Sequence, residues 1–333
     1  MDAARFDRVA GRFGGQRILV IGDLMLDEFI WGKVSRISPE APVPVVDVTA
    51  ESYYPGGAAN VARNVREFAA DTRVMGITGA DPHGDRLVRL LAASGIDTAG
   101  VQQDAAGFTI VKTRIIARHQ QVVRVDRERH APLPAEQEAR AMRHLDSVIE
   151  SLDGLVISDY GKGFVSQPLA DRICALASAH GKILTVDPHP HHALCWHGAT
   201  AIKPNRAEAF LAAGRQPVEP AGPPLEDMAL REVGNRLLER WKTASVLITL
   251  GEQGMILFQH DAAPYHTPTR AQAVFDVSGA GDTAIGVFTL GLAAGATPEE
   301  AAELANHASG IVVGKVGTAT ATREELLASF TSL

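Results

Sequence analysis

Short, uninterrupted apolar runs alternate with helical stretches along most of this chain, and that alternation limits the fold more than any other feature. The run at 17–23 ends in Gly22-Asp23 and reads as a buried first strand. From about residue 55 onward, buried-type strands are expected at 72–76, 154–158, 183–187, 200–203 and 245–250. Helices are expected at 58–69, 85–93, 135–151, 167–180, 206–212 and 229–241, with a last apolar one at 284–294. Such alternation specifies an α/β fold with a parallel sheet and helices on both of its faces. In sheets of this kind ligands collect at the carboxyl ends of the strands.

Other segments depart from the pattern. Residues 43–48, 109–116 and 121–125 are β-branched with partial alternation, which predicts half-exposed strands of a small antiparallel sheet. A sheet that small must lean on the main body or on a second subunit. The Pro-rich stretch 216–225 reads as a linker or a surface loop; alternation resumes after it, which favours the loop.

Bulk properties exclude several classes of function. Apolar residues make up 46% and charged residues 21% of the 333, enough for a substantial core. The net charge is −7 and no basic block is interleaved with aromatics, which argues against a nucleic-acid partner. No apolar run approaches the roughly 18 residues of a membrane span, and no signal-peptide core is present, so the expected setting is soluble and cytoplasmic. Cys174 and Cys195 make neither a disulfide framework nor a zinc spacing. His189, His191, His192 and His197 lie among prolines that break helical pairing, and they read as a solvated loop rather than a metal site.

The chemistry-bearing residues fall at predicted strand ends and helix starts. The run from Phe275 to Thr283 leads into the last apolar helix. Its Gly279, Ala280 and Gly281 would present backbone N–H groups at a helix N-terminus, a site for an anion such as a phosphoryl group. Asp282, in the first turn, could take a proton from an attacking hydroxyl; a plain turn with an acidic first-turn residue is the alternative. Gly56-Gly57 opens a second helix with Asn60 in its first turn, suited to a polyhydroxyl ligand or simply a turn.

Asp23 and Asp27 follow the first strand and would suit sugar hydroxyls, or cap and face solvent. Asp159 and Lys162 follow another strand, with Lys162 placed to face a phosphate or to sit in a β-to-α turn. After Lys203, Asn205 and Glu208 have capping-box spacing; alternatively they hold Mg²⁺ through waters beside nucleotide phosphates. Thr249, Gly251 and Gly254 end a further strand where a nucleotide could approach closely, or where the chain makes a hairpin. The Gly-x-x-x-x-Gly-Lys-[Ser/Thr] loop and the dinucleotide fingerprint are both missing.

Four of these segments, Gly-Gly-Ala-Ala-Asn, Lys-Pro-Asn-x-x-Glu, Thr-Leu-Gly-x-x-Gly and Asp-x-x-Gly-Ala-Gly-Asp-Thr, occur in the order and spacing of the ribokinase (PfkB) family of sugar kinases. The resemblance runs from Arg17 to the C-terminus. Within that family, residues 35–46, 22–27 and 158–163 resemble the heptose 7-phosphate kinases of lipopolysaccharide-core synthesis.

The resemblance implies a ribokinase-like three-layer αβα domain over 1–333, with lid strands inserted at about 24–50 and 107–127. It implies no nucleotidyltransferase domain, so that adenylyl transfer would belong to a separate protein. It implies ATP and Mg²⁺ as cofactors and a sugar phosphate as acceptor, phosphorylated at the anomeric hydroxyl. Asp282 would be the base, and Gly279, Ala280 and Gly281 the anion hole. Asp27, Gly57 and Asn60 would hold the sugar, and Asn205 and Glu208 would organise Mg²⁺. Thr249, Gly251 and Gly254 would line the nucleotide, with Asn306 near the adenine.

A homodimer through the lid sheet is also implied. Arg114, Arg118 and Lys162 are the cations expected at the 7-phosphate, because a second phosphate needs charge that a plain sugar does not. The chain departs from the branch at 187–197, where His189 and Pro190 stand in place of Lys and Gly. Two alternatives to this reading are a related kinase for another sugar and a silent sugar- or nucleotide-binding module. An intact Gly279–Asp282 run disfavours the second.

Overall fold

The computed structural model describes residues 1, 3–118, 120–220, 222–271, 274–315 and 317–331. The main sheet begins with β1 (Arg17–Gly22), after which the chain leaves the body through β2 (Leu24–Ile37) and returns through β3 (Pro44–Gly57). It re-enters the sheet at β4 (Asp71–Gly79) and β5 (Asp97–Asp104), and leaves again through β6 (Ile110–Ala117) and β7 (Gln120–Arg127). The remaining strands are β8 (Gly154–Ser158), β9 (Ile183–Asp187), β10 (Ala201–Ile202), β11 (Ser245–Thr249), β12 (Met255–Gln259) and β13 (Tyr265–Thr267).

The main sheet has the order β13-β12-β11-β10-β9-β8-β1-β4-β5. All neighbours from β11 to β5 are parallel, and β12 and β13 extend the edge as antiparallel strands. The chain passes from β1 to β4 and β5 on one side, then resumes at β8 on the other. The order therefore reverses at β1 and β8, and a crevice opens above their carboxyl ends.

Helices cover both faces. In chain order they are α1 (Ala3–Ala10), α2 (Ala58–Arg66), α3 (Pro82–Ala93), α4 (Ala135–Val148), α5 (Gln167–Ala179), α6 (Arg206–Ala212), α7 (Met228–Trp241), α8 (Ala280–Ala293), α9 (Pro298–Val313) and α10 (Arg323–Thr331). Alternation along β1 builds the layers. Ile18 and Val20 pack with α2, α8 and α9, while Leu19 and Ile21 pack with α4, α5 and α7. The result is the three-layer αβα fold expected from the sequence, with a separate smaller sheet.

That smaller sheet corrects one expectation. Its order is β3-β2-β6-β7, and its central pair, β2 with β6, is parallel rather than antiparallel. Each excursion from the body is a hairpin, and the two hairpins meet through their outgoing strands, which run the same way. Of the lid stretch expected at 107–127, His119 lies outside the described residues, as does Ala221 of the Pro-rich stretch. Helix α3 begins earlier than its expected start at 85, because Asp81 caps it and Pro82 opens it; the Asp81 carboxylate accepts from Gly84 N–H at 2.9 Å.

Candidate active site

Helix α8 starts at the crevice. Gly279, its N-cap, adopts φ 80°, and a Cβ there would stand 2.9 Å from the Asn60 amide nitrogen, so only glycine lets α2 approach so closely. Asp282 in the first turn is buried and held on both oxygens. The Asn60 amide donates to Oδ2 at 2.7 Å, and the Tyr160 hydroxyl donates to Oδ1 at 2.7 Å. Burial pushes the Asp282 carboxyl up from its ordinary range, and Asp27 adds to that; the bonds from Asn60 and Tyr160 and the Lys203 charge oppose it.

Lys203 is buried, with its ammonium 3.1 Å from Asp187. A Cβ on Gly281 would lie 3.6 Å from that nitrogen, so a cation stands beside the first turn of α8. Asp187 is pushed up to about 7, mainly by burial, with Glu208 and Asp282 adding to it and Lys203 opposing. The Ala280 N–H, expected in the anion hole, already donates to Val277 at 3.3 Å.

A cavity of about 670 Å³ runs from Thr249, Gly251 and Gly254 to Ala280 and Gly281, with apolar walls from Met255, Val274 and Val313. Gly254 has φ 85°, and a Cβ there would collide with the Thr267 carbonyl, so the hairpin closes only with glycine. Asn306 lines the cavity and ties its far wall, donating to Thr267 at 3.1 Å and Pro268 at 2.6 Å. Asn205 and Glu208 form a reciprocal capping box at the start of α6, and Asn205 pairs with Thr249 across the sheet edge.

Asp27 is buried and ion-paired to Arg114, and a Cβ on Gly56 would collide with its carboxylate. Gly57, with φ 58°, ends β3 beside Asp23 and leads into α2. Other expectations give way. The Asp23 carboxylate, expected at sugar hydroxyls, instead accepts from the N–H groups of Tyr160 at 2.9 Å, Lys162 at 3.0 Å and Phe164 at 3.1 Å. Asp159 is likewise engaged, accepting from Gly161 N–H and bonding the His192 ring, each at 2.8 Å. Burial lifts its carboxyl to about 6 against those bonds.

Lys162 turns to Glu128 at 2.6 Å. Burial opposes ionisation of Glu128, but Lys112 and Lys162 overcome it and hold the carboxyl at about 2. Arg118 is exposed in the turn after β6, four residues and about 13 Å beyond Arg114 along the strand direction, and does not join it. The loop at 187–197 is not simply solvated, because Asp187 and His192 both reach inward. Among the described residues no group of three His, Cys, Asp or Glu is placed to hold a metal ion.

Residues 16–325 match the family described as pfkB family carbohydrate kinase. The chain belongs to this family. The Bifunctional protein HldE of Desulfatibacillum aliphaticivorans is 43% identical over 95% of this chain and 63% of that protein. Its namesake in Geobacter sulfurreducens is 39% identical over 99% of this chain and 66% of that protein. The chain thus spans less than two thirds of the length of these curated relatives.

Ribokinase from Giardia lamblia superposes with a TM-score of 0.74 at 19% identity, covering 95% of this chain and 99% of that one. Arabidopsis thaliana ribokinase, complexed with ribose and ATP, gives 0.69 at 15%, covering 95% and 98%. At such identities the likeness establishes the fold. No helix among the described residues is long and apolar enough to cross a membrane.

A pfkB carbohydrate kinase uses ATP, typically with Mg²⁺. The capping box takes up Asn205 Oδ1 and Glu208 Oε2, so Glu208 Oε1 is the carboxylate oxygen left to meet that ion, which suits Mg²⁺ held mainly by phosphate oxygens and waters rather than by an all-protein cage.

Four residues of this kinase escaped the sequence reading. Tyr160 and Asp187 stand at the carboxyl ends of β8 and β9, a position that was the available signal. Lys112 and Arg124 emerge only from strand register. Lys112 pairs with Asp27 and Asp126, and Arg114 with Phe29 and Arg124, which puts all three cations on the lid face that carries Asp27.

Proposed function

We propose that this carbohydrate kinase transfers the γ-phosphoryl group of ATP to the anomeric hydroxyl of a heptose 7-phosphate, giving the 1,7-bisphosphate. The observation that carries the acceptor class is the stripe of Lys112, Arg114 and Arg124 on the lid face shared with Asp27, where a phosphate would compete with the Asp27, Asp126 and Glu128 carboxylates that hold these cations. A sugar held at Asp27, Gly57 and Asn60 would extend its distal phosphate along that stripe. The heptose assignment is supported by the resemblance of residues 35–46 to heptose kinases and by the HldE relatives.

Asp282 takes the proton of the acceptor hydroxyl as its oxygen bonds to the γ-phosphorus. The bond from that phosphorus to the β–γ bridging oxygen breaks and ADP leaves. Lys203 and the first turn of α8 face the charge of the transferring group, since such transfers depend on positioning and charge stabilisation. Asn205 and Glu208 would hold Mg²⁺ through waters, and the ion would neutralise phosphate charge. Thr249, Gly251, Gly254 and Asn306 enclose the nucleoside.

The lid face turned from the cleft bears exposed Val123 and Val125, which supports pairing with a second copy of the chain.

The stripe makes a specific test. Lys112→Ala and Arg124→Ala should each lower kcat/KM for heptose 7-phosphate roughly ten- to a hundred-fold, as expected for a lost hydrogen bond to a charged group. Turnover of unphosphorylated heptose should not change, and Arg118→Ala should affect neither acceptor. An equal loss on both acceptors would remove the stripe from phosphate recognition.

A further inference from the structure

We propose that Tyr160 is a positioning residue for phosphoryl transfer: its hydroxyl fixes the orientation of the Asp282 carboxylate and sets its basicity, with Asp23 holding Tyr160 in place. The inference rests on Asp282 being the base. Three observations carry it. First, each Asp282 oxygen has one neutral donor, Tyr160 on Oδ1 and Asn60 on Oδ2, both at 2.7 Å, so the carboxylate plane cannot turn without breaking a buried bond. Second, Tyr160 is itself anchored. Its N–H donates to Asp23 at 2.9 Å, and the same carboxylate gathers the N–H groups of Lys162 and Phe164. Asp23 thus shapes the whole turn that carries the phenol.

Third, the phenol can only donate here. Burial, then the neighbouring carboxylates of Asp282, Asp187 and Asp27, hold it well above its ordinary range, so it keeps its proton wherever the kinase works. Among the described residues, Asp282 faces Asn60 from α2, Tyr160 after β8, Lys203 after β10, Asp187 at the end of β9, and Asp27 from β2. Of these, Tyr160 and Asn60 touch the carboxylate directly. A hydrogen bond donated to a carboxylate favours its ionised form and opposes the upward push of burial.

A base acts when ionised, so kcat/KM falls on the acid side through its pKa. Tyr160→Phe removes one donor, raises that pKa, and should move the acid limb to higher pH by about one unit or more. Replacing Tyr160 with 3,5-difluorotyrosine keeps the side chain's packing but makes a stronger donor, and should move the limb to lower pH.

The measurement is the pH profile of kcat/KM with saturating MgATP and heptose 7-phosphate, with thermal melting as the control for folding. An acid limb that stays put in both variants overturns the proposal. If Tyr160→Phe melts early, the fluorinated protein decides alone. Should Asp282→Asn keep wild-type turnover, the base assignment itself falls. If Asp282→Asn is inactive and the limb does not move, only the role of Tyr160 falls.

Discussion

Asp282→Asn should lower turnover about 10²–10⁴-fold, the range for loss of a general base, while nucleotide affinity stays close to that of the unaltered kinase. The replacement keeps the size of the side chain and can still accept from Tyr160 and meet Asn60, so the turn at Gly279 and the first turn of α8 retain their packing. What it removes is the capacity to take a proton. Because the cavity proposed for the nucleotide is walled by residues other than Asp282, calorimetric titration with ADP should be nearly unchanged. Equal turnover in the variant would exclude Asp282 from the chemistry.

Lys203→Ala should lower turnover by about 10²–10³, the typical effect of deleting one preorganised group that stabilises developing charge. The ammonium is buried beside Gly281, where its charge is only weakly screened. Its loss also leaves Asp187 facing Glu208 and Asp282 without a cation. Asp187 already sits at about 7 with Lys203 present, so it can take up a proton instead of remaining as a buried unpaired charge. The fold should therefore survive, and circular dichroism with single-turnover kinetics would separate a folding defect from a catalytic one. Turnover within about threefold of the parent would make Lys203 a structural partner of Asp187 and nothing more.

Much of the layered body was legible in the sequence because continuous apolar runs have one stable destination, the middle of a parallel sheet. Strands β1, β8, β9 and β11 lie where the runs at 17–23, 154–158, 183–187 and 245–250 indicated. The glycine-led starts of α2 and α8 were legible for a similar reason, since a close helix approach needs glycine at a few fixed positions.

Partnerships over long stretches of chain were not legible. Asp23 meets amides 137 to 141 residues away, and Tyr160 meets Asp282 across 122. No local pattern encodes which acidic residue at a strand end will be consumed by a loop. The lid shows the same limit from another side. β-Branched runs announced its strands, but the antiparallel register of β6 with β7 sets Arg124 beside Arg114, and the parallel register of β6 with β2 puts them and Lys112 on the face of Asp27, while Arg118 falls in the turn beyond. The loop at 187–197 is exposed at His191, Ala193, Cys195 and His197 as a solvated loop would be, while half-buried Asp187 and His192 bond inward to Lys203 and Asp159.

The most direct test of the account is ADP release from MgATP, with D-glycero-D-manno-heptose 7-phosphate, ribose, fructose 6-phosphate and adenosine offered side by side. The account predicts rapid turnover with the heptose phosphate and little with the other three. Turnover confined to an unphosphorylated acceptor, or none with any of the four, would contradict it.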